Sequence, residues 1–285
     1  DGIDRLERWE GHLLNWYDTQ TCAPLMPRYV STVDSGNLVA ALMVLEQALA
    51  EPAREATPPA PELAARLERL AARAHALAEG HDFRLLYDAR RRLFAVGYRL
   101  PDHEGPGRLD GSFYDLLASE ARLASFIAIA KGDAPARHWF ALGRPLTSVD
   151  GRATLLSWSA TMFEYLLPFV FTRRYPATLL DGTARTVVAH QRRYGQRLGV
   201  PWGISESAYF VTDRAGNYQY RAFGVPGLGL KRGLGDDLVV APYATALAAL
   251  VDAPTAAANL RHLTGSGLSG RYGFSEAIDY TPPEA

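Results

Sequence analysis

Two glutamates in unusually apolar surroundings could carry out chemistry on a sugar. Glu164 lies in residues 157–168 (SWSATMFEYLLP) and Glu206 in residues 201–210 (PWGISESAYF), each with a tryptophan a few positions upstream. A carboxyl group among such neighbours is poorly solvated, so its protonated form is favoured and its pKa rises. Two such groups facing each other across an aromatic cleft would suffice to cut or transfer a glycosidic bond.

Each glutamate also has a simpler interpretation. Glu164 could be an acid in the first turn of a helix, where the helix dipole stabilises negative charge. Glu206 could be a loop carboxylate that pairs with a nearby arginine. Both interpretations stay open on the sequence alone.

Further polar and aromatic residues are suited to binding a sugar. Aromatic rings stack on the C–H faces of sugars, while carboxylates and amides bond to hydroxyl groups. The predicted substrate-binding residues are Tyr17, Asp18, Tyr29, Asp34, Asn37, Asp115, Trp158, Trp202, Tyr209 and Glu276. Helix capping alone would account for Asp34. A salt-bridge network would account for a helical face that carries Asp115, Ser119 and Arg122.

The composition excludes several other classes of function. The 285 residues carry 30 Lys and Arg against 31 Asp and Glu, a formal net charge of -1. No general electrostatic attraction to nucleic acid or to an anionic membrane follows. No segment of about 18 apolar residues that could span a bilayer is evident, and no signal peptide is visible. The chain starts at Asp1 without a Met, and we expect it to be a fragment of a longer polypeptide.

Cysteine and histidine usage gives no sign of a metal or cofactor. The single cysteine, Cys22, allows no intrachain disulfide, which suits a reducing compartment. The seven histidines form none of the usual metal-ligand spacings. The glycine-rich run at 224–229 lacks the strand–turn–helix context of a dinucleotide site. We therefore predict no metal and no cofactor.

Helical periodicity dominates the chain and sets the predicted fold. A β-hairpin is predicted within 85–100, and loops are predicted at 51–61, 101–111, 202–235 and 265–283. Predicted helices cover 3–16, 35–49 (capped by Asp34 or Ser35), 61–80, 112–131 (capped by Ser112), 135–142, 161–171, 177–198 (closed by Gly199), 239–251 (capped by Asp236 or Asp237) and 254–263. Without βαβ alternation a doubly wound fold is disfavoured. We expect a mainly α toroid of antiparallel helix pairs, with loops at one end lining a cleft.

Seven motifs in this chain resemble those of a known family. They are RYVSTVDSGNL (28–38), FYDLLASEARLASFIAIAKGD (113–133), SWSATMFEYLLP (157–168), PWGISESAYF (201–210), GLGLKRGL (227–234), DDLVVAPYA (236–244) and YGFSEAIDYTP (272–282). In this order they look like the glycoamylase-like domain of bacterial cyclic β-1,2-glucan synthases, related to endo-β-1,2-glucanases. The resemblance covers nearly the whole chain.

The resemblance implies a fold, an activity and a setting. The fold would be an (α/α)6 barrel formed by residues 1–285 as a single domain, incomplete at its C-terminus because the family barrel continues past the last motif. The activity would be transglycosylation that closes linear β-1,2-glucan into rings by a retaining mechanism, with Glu164 as general acid and Glu206 as nucleophile. The setting would be a multi-pass membrane protein, in which this soluble segment lies at the cytoplasmic face of the inner membrane beside glycosyltransferase and phosphorylase-like domains.

Two alternatives to transglycosylation stay open. The first is hydrolysis of β-1,2-glucan by an endo-acting enzyme. The second is a non-catalytic module that holds the glucan for neighbouring domains. Neither composition nor motif spacing separates the three functions.

Overall fold

The computed structural model describes residues 2–52, 60–103 and 105–282. Backbone contacts divide the chain into two compact units. Unit 1 comprises Asp1–Asp115 and Ala121–Gly143, and unit 2 comprises Leu116–Glu120 and Arg144–Ala285. Most of the loop predicted at 51–61 lies outside the described residues.

The described residues are mainly helical, as predicted, and carry many short strands. The α-helices are α1 (Gly2–Arg5), α2 (Thr32–Ala50), α3 (Pro61–Gly80), α4 (Arg122–Lys131), α5 (Arg137–Ala141), α6 (Met162–Leu166), α7 (Pro168–Phe171), α8 (Leu179–Leu198), α9 (Pro242–Ala248) and α10 (Ala253–Leu263). The strands are β1 (Arg8–Trp9), β2 (His12–Leu13), β3 (Tyr29–Ser31), β4 (Tyr87–Asp88), β5 (Leu93–Ala95), β6 (Gly97–Arg99), β7 (Arg108–Leu109), β8 (Phe113–Tyr114), β9 (Leu146–Val149), β10 (Arg152–Leu155), β11 (Ser207–Thr212), β12 (Tyr218–Arg221), β13 (Val239–Val240), β14 (Ser269–Gly270), β15 (Gly273–Phe274) and β16 (Ile278–Asp279).

Unit 1 is built on the packing of α2 against α3 and α4. A Cβ atom added at Gly36 would lie 2.5 Å from the Cβ of Ala124, so the absence of a side chain lets α2 and α4 approach closely. Helix α2 begins three residues earlier than predicted. Its N-cap is Ser31, whose Oγ accepts a hydrogen bond from Asp34 N, and not Asp34 or Ser35 as predicted.

The predicted hairpin is confirmed, and it forms part of a three-stranded sheet in unit 1. Strands β4 and β5 pair antiparallel, and β5 also pairs with β8, giving a three-stranded sheet. A second sheet has the order β3-β6-β7. The fully buried ring of Phe94, in β5, is in edge-to-face contact with the fully buried ring of Phe83 at 6.4 Å between ring centroids.

Unit 2 contains the long helix α8, which contacts β10 and α6. Helix α8 begins at Leu179 with Thr178 as its N-cap, and its predicted end at Gly199 is confirmed by a left-handed backbone there, φ 69°. Helices α9 and α10 pack on each other.

The predicted helix over 3–16 is wrong after Arg5. Glu10 and Gly11 both have positive φ, 48° and 83°. They form a two-residue turn between β1 and β2, a geometry that favours glycine. A Cβ at Gly11 would lie 1.8 Å from the carbonyl oxygen of Gly80, so only glycine fits this position.

The predicted helix over 112–131 is wrong in its first half. Phe113 and Tyr114 form strand β8, paired with Ala95 and Phe94, and the helix begins only at Arg122. Ser112 is therefore not a helix cap. Asp115 and Ser119 lie outside the helix, so they do not share a helical face with Arg122. The predicted end is confirmed at Gly132.

Near the C-terminus, several residues that were predicted as helix or loop instead form strands, which pair with other segments of the chain. Strand β13 pairs with β16, so helix α9 begins at Pro242 after the N-cap Ala241, and neither Asp236 nor Asp237 caps it. The loop predicted at 202–235 contains the hairpin β11–β12. The loop predicted at 265–283 contains β14, β15 and β16.

One described helix, α2, is long and apolar enough by length and composition to cross a membrane, contrary to the prediction. The core helix of a soluble protein passes the same test. Of the apolar window of α2, 28% is buried inside the structure, including Val39, Ala40 and Leu42.

Candidate active site

Glu164 is fixed by the start of helix α6 in unit 2. Thr161 is the N-cap, and its Oγ1 accepts a hydrogen bond from Glu164 N at 3.0 Å. Glu164 Oε2 in turn accepts from Thr161 N at 3.2 Å, which completes a capping box. The interpretation of Glu164 as a first-turn helix acid therefore describes its local structure.

The Glu164 carboxyl group is also bound by the chain before the helix. Its Oε2 accepts from Ser157 Oγ at 2.8 Å and from Ser159 N at 3.0 Å. Only 7% of the residue is exposed. Burial raises the pKa of Glu164 to about 7; the Ser157 hydrogen bond opposes this shift and the negative charge of Glu120 adds to it. At neutral pH this carboxyl group is therefore partly protonated.

Glu206 lies on the chain that enters strand β11, and Tyr243 contacts both its backbone and the side chain of Ser205. Tyr243 Oη lies 2.8 Å from both the carbonyl oxygen of Glu206 and Ser205 Oγ. Ser205 Oγ also accepts from Phe163 N at 3.1 Å. Ser205 thus ties the segment of Glu206 to helix α6, which carries Glu164.

Burial raises the pKa of Glu206 to about 7 as well, and the negative charge of Glu120 raises it further. A hydrogen bond from the Tyr220 hydroxyl acts in the opposite direction, because it stabilises the ionised carboxylate. Burial and the charge of Glu206 raise the pKa of Tyr220, so this phenol keeps its proton and remains the donor. Glu206 is therefore a partly buried carboxylate with a dedicated donor.

Glu120 is the acidic residue that sequence reasoning left out of the site. It is partly buried, and Ser119 Oγ donates to its Oε2 at 3.4 Å. Its negative charge raises the pKa of both Glu164 and Glu206, so the three carboxyl groups form one electrostatic cluster in unit 2. The incorrect helix over 112–131 concealed it, because Glu120 falls outside the helical face that was predicted to carry Asp115, Ser119 and Arg122. Tyr220 and Tyr243 were also missed.

A polar brace holds the chain that leads to Glu206. Gln191 of α8 donates through Nε2 to the carbonyl oxygen of Ile204 at 2.7 Å and accepts from Ile204 N at 2.9 Å. Both residues are fully buried. Because buried polar groups cost free energy unless they are bonded, this paired contact fixes the position of the segment.

Trp202, predicted to bind substrate, is in the hydrophobic core of unit 2. It is only 5% exposed, and its carbonyl oxygen accepts from Asn259 Nδ2 at 2.7 Å and from Thr245 Oγ1 at 3.2 Å. We assign it a packing role. Trp158, by contrast, is 47% exposed and follows Ser157, which bonds to Glu164.

Tyr209 and Glu276 lie together in unit 2. Both line a cavity beside strand β11. Tyr209 is half-buried, with its ring in edge contact with Phe223 at 5.1 Å between centroids. Glu276 is exposed, and its Oε1 accepts from Ala208 N at 3.2 Å.

Three of the remaining predicted residues, in unit 1, use their side chains in hydrogen bonds within the protein. Tyr17 Oη donates to the carbonyl oxygen of Glu7 at 2.6 Å. Asp18 Oδ1 accepts from Gln20 N and Thr21 N, as in a turn. Tyr29 Oη donates to Asp110 Oδ2 at 3.0 Å.

The other three predicted residues of unit 1 give a mixed result. Asp34 is exposed in the first turn of α2. Asn37 Oδ1 is buried without a hydrogen-bond partner in the described ranges. The backbone oxygen of Asp115 accepts from Gly143 N at 2.6 Å. A role in substrate binding stays a prediction for all six residues of unit 1.

No group of three or more His, Cys, Asp or Glu residues within 2–52, 60–103 and 105–282 could hold a metal ion. The candidate site in unit 2 contains the carboxyl groups of Glu120, Glu164 and Glu206. Two carboxyl groups with a pKa near neutrality, and a third that interacts electrostatically with both, can divide the roles of proton donor and ionised nucleophile. Because the groups interact, their protons titrate as a coupled set.

Comparison with known proteins supports the family predicted from the motifs. The family model Glycoamylase ("Putative glucoamylase") matches residues 112–284. The chain is 35% identical to the cyclic β-(1,2)-glucan synthase NdvB of Rhizobium meliloti (strain 1021), over 98% of this chain and 14% of that protein. The chain thus spans about one seventh of the length of this relative.

Solved structures give the fold. An endo-β-1,2-glucanase from Talaromyces funiculosus in complex with sophorose matches with a TM-score of 0.77 and 14% identity, over 95% of this chain and 57% of that chain. A variant of the same enzyme with β-1,2-glucan matches with a TM-score of 0.76. The chain therefore has the fold of a glycoside hydrolase, and the predicted resemblance is confirmed.

Proposed function

The chain belongs to the glycoamylase family, and we propose that it acts on β-1,2-glucan, transferring a linear chain onto its own end to close a ring. The observation that carries this proposal is the cluster of Glu120, Glu164 and Glu206, in which two carboxyl groups have a pKa of about 7. The relatives supply the substrate class, since one is a cyclic β-(1,2)-glucan synthase and the other is an endo-β-1,2-glucanase with β-1,2-glucan bound.

We propose Glu206 as the nucleophile. Its carboxylate attacks the anomeric carbon while the glycosidic C–O bond breaks, and the leaving oxygen takes a proton from a second carboxyl group. The hydroxyl group of an acceptor sugar then attacks the glycosyl-enzyme, loses its proton to the second carboxylate and releases Glu206. A covalent intermediate lets the leaving group depart before the acceptor arrives, which ring closure requires. Retaining enzymes hold the two carboxyl groups about 5–5.5 Å apart, and we expect this spacing with glucan bound.

Two carboxyl groups compete for the role of proton donor. The motif resemblance names Glu164, and its pKa of about 7 suits a general acid. Its oxygens, however, already accept from Ser157, Ser159 and Thr161. Glu120 is less buried and acts electrostatically on both other glutamates. Because Glu120 is the more exposed of the two, we propose Glu120 as the donor and Glu164 as the residue that fixes residues 157–161.

The wider setting is part of the same proposal. Residues 1–285 would form one (α/α)6 toroid domain within a larger polypeptide, next to glycosyltransferase and phosphorylase-like domains. That polypeptide would be a multi-pass membrane protein with this segment at the cytoplasmic face of the inner membrane. The small share of the synthase covered by this chain, 14%, supports a multidomain setting.

Incubation of the protein with linear β-1,2-glucan tests the function. Cyclic or longer products support transfer. Short reducing fragments alone would support the second candidate, hydrolysis, which the fold of the endo-β-1,2-glucanase favours. Binding without turnover would leave a glucan-holding module. Nuclear magnetic resonance of the first-formed anomer tests the retaining mechanism, because an α-anomer from the β-linked substrate would overturn it.

A further inference from the structure

A cavity of about 330 Å³ lies in unit 2 between the hairpin β11–β12 and the segment that precedes and includes β16. Its volume is at the lower end of the range typical of small-ligand sites. It is lined by Ala208, Tyr209, Phe210, Tyr218, Ser275, Glu276, Ala277 and Asp279.

The lining of this cavity has the chemistry of a sugar-binding surface. Aromatic rings come from the hairpin, where Phe210 is 75% exposed and Tyr218 is 70% exposed. Carboxylates come from the facing segment, at Glu276 and Asp279. Aromatic rings give flat apolar surfaces for the C–H faces of a pyranose, while carboxylates accept hydrogen bonds from its hydroxyl groups. Exposed rings on a two-stranded ribbon, facing acids, indicate a ligand with both kinds of surface.

The cavity is joined to Glu206 by the hairpin itself. Ala208, two residues after Glu206, donates its N–H to Glu276 Oε1 at 3.2 Å and so links the two walls. Ala208 also pairs with Tyr220, the residue whose hydroxyl group bonds to the Glu206 carboxylate. The cavity is therefore linked through this hairpin to the proposed nucleophile, which immediately precedes strand β11.

We propose that this cavity is a glucosyl-binding subsite, which holds one unit of a β-1,2-glucan chain whose neighbouring units extend to Glu206. The inference rests on the proposed function and adds Phe210 and Tyr218 to the binding surface. The rings hold the sugar by its apolar faces, and Glu276 and Asp279 orient its hydroxyl groups.

Single alanine variants of the two exposed rings test the subsite. With linear β-1,2-glucan as substrate, Phe210→Ala and Tyr218→Ala should each raise KM about two- to tenfold, the loss expected for one stacked ring, with little change in kcat. Tyr175→Ala is the matched control, because Tyr175 is also an exposed tyrosine of unit 2, in the segment before α8, and its KM should equal that of the wild type.

Phe210→Leu and Tyr218→Leu separate aromatic stacking from general folding. Leucine keeps an apolar side chain on the strand but offers no flat face, so KM should still rise while the unfolding temperature stays near that of the wild type. An unchanged KM in all four variants, with a wild-type protein that turns over glucan, would overturn the subsite. A wild-type protein that neither binds nor converts β-1,2-glucan would instead overturn the proposed function.

Discussion

The backbone N–H of Phe163 donates to Ser205 Oγ at 3.1 Å, so the residues that immediately precede Glu164 and Glu206 are bonded directly to each other. Tyr243 Oη lies 2.8 Å from the same Ser205 Oγ. Helix α6 and the chain before β11 are thus held in register by a fully buried hydroxyl group. The bond fixes the spacing between the segment that Glu164 holds and the proposed nucleophile, and catalysis depends on such spacing.

Replacement of Ser205 should therefore weaken the fold. Ser205→Ala leaves the N–H of Phe163 without its acceptor, and an unsatisfied buried donor costs about 1–3 kcal/mol. Urea unfolding measures this loss. Ser207→Ala is the control, since Ser207 is equally buried but its Oγ has no hydrogen-bond partner in the part of the chain that the structure describes. Equal losses in both variants would mean that the hydrogen bond contributes nothing.

The hydroxyl group of Tyr220 should set the lower pH limit of activity. It donates to Glu206 and holds the pKa of Glu206 below the value that burial alone would give. In Tyr220→Phe that pKa rises further, so the nucleophile is protonated over a wider range and the acidic limb of the kcat/KM profile moves to higher pH. Tyr175→Phe should keep the wild-type profile. A Tyr220→Phe profile that matched it would contradict the assignment.

Much of the helical framework could be predicted because its signals are local. Helix α3 follows its prediction from Pro61 to Gly80, with proline in the first turn. The end of α8 follows from Gly199, which adopts the left-handed backbone that favours glycine. Such signals depend on a few adjacent residues and do not require knowledge of the rest of the fold.

Apart from the hairpin of β4 and β5, the short strands could not be predicted, since they depend on residues far away in sequence. Strand β8 has only Phe113 and Tyr114, too few for a period of two, and its state is decided by pairing with β5. Residues 112–121 were predicted as helix but are not helical, and this error kept Glu120 out of the predicted site. Glu164 and Glu206 could be found because their apolar neighbours are adjacent in sequence.

Helix α3 should tolerate changes on its polar face. Arg66 and Arg69 are exposed, and the buried side of the helix consists of Ala71, Ala74 and Ala78. Arg66→Ala or Arg69→Ala should change the free energy of unfolding by less than about 0.5 kcal/mol. Ala74→Leu, which adds volume to the face that packs on α2, should cost about 1–3 kcal/mol. A loss of several kcal/mol in the arginine variants would show that this face is covered.

The free energy of unfolding should depend on pH because the pKa of Glu206 is raised. The pKa of Glu206 is 4.5 in the unfolded chain and about 7 in the folded protein. Between these two pH values the folded protein therefore binds more protons at Glu206 than the unfolded chain does. The stability contributed by this group is therefore complete below the lower value and is lost as the pH rises through the higher one. Because glutamine has no proton to lose, Glu206→Gln should gain stability relative to the wild type on going from acidic to alkaline pH. Urea unfolding on both sides of this window measures the difference, and a constant difference would contradict the raised pKa.

Rescue by azide should assign the roles of the three glutamates. With a β-linked glucan oligosaccharide that carries an aryl leaving group, departure needs no proton donor. In Glu206→Ala, azide should attack the anomeric carbon in place of the carboxylate and yield the α-glycosyl azide. In Glu120→Ala, Glu206 still forms the glycosyl-enzyme, and azide then yields the β-glycosyl azide.

The matching Glu164→Ala variant decides between the two proposed donors. It removes the acceptor of Ser157 Oγ and Ser159 N, so it should lower the free energy of unfolding by about 1–3 kcal/mol or more. We expect azide to raise the rate of aryl release by this variant no more than it raises that of the wild type. If Glu164→Ala instead gives the β-glycosyl azide while Glu120→Ala does not, the proton donor is Glu164, and Glu120 acts only through its charge on the pKa of the other two carboxyl groups.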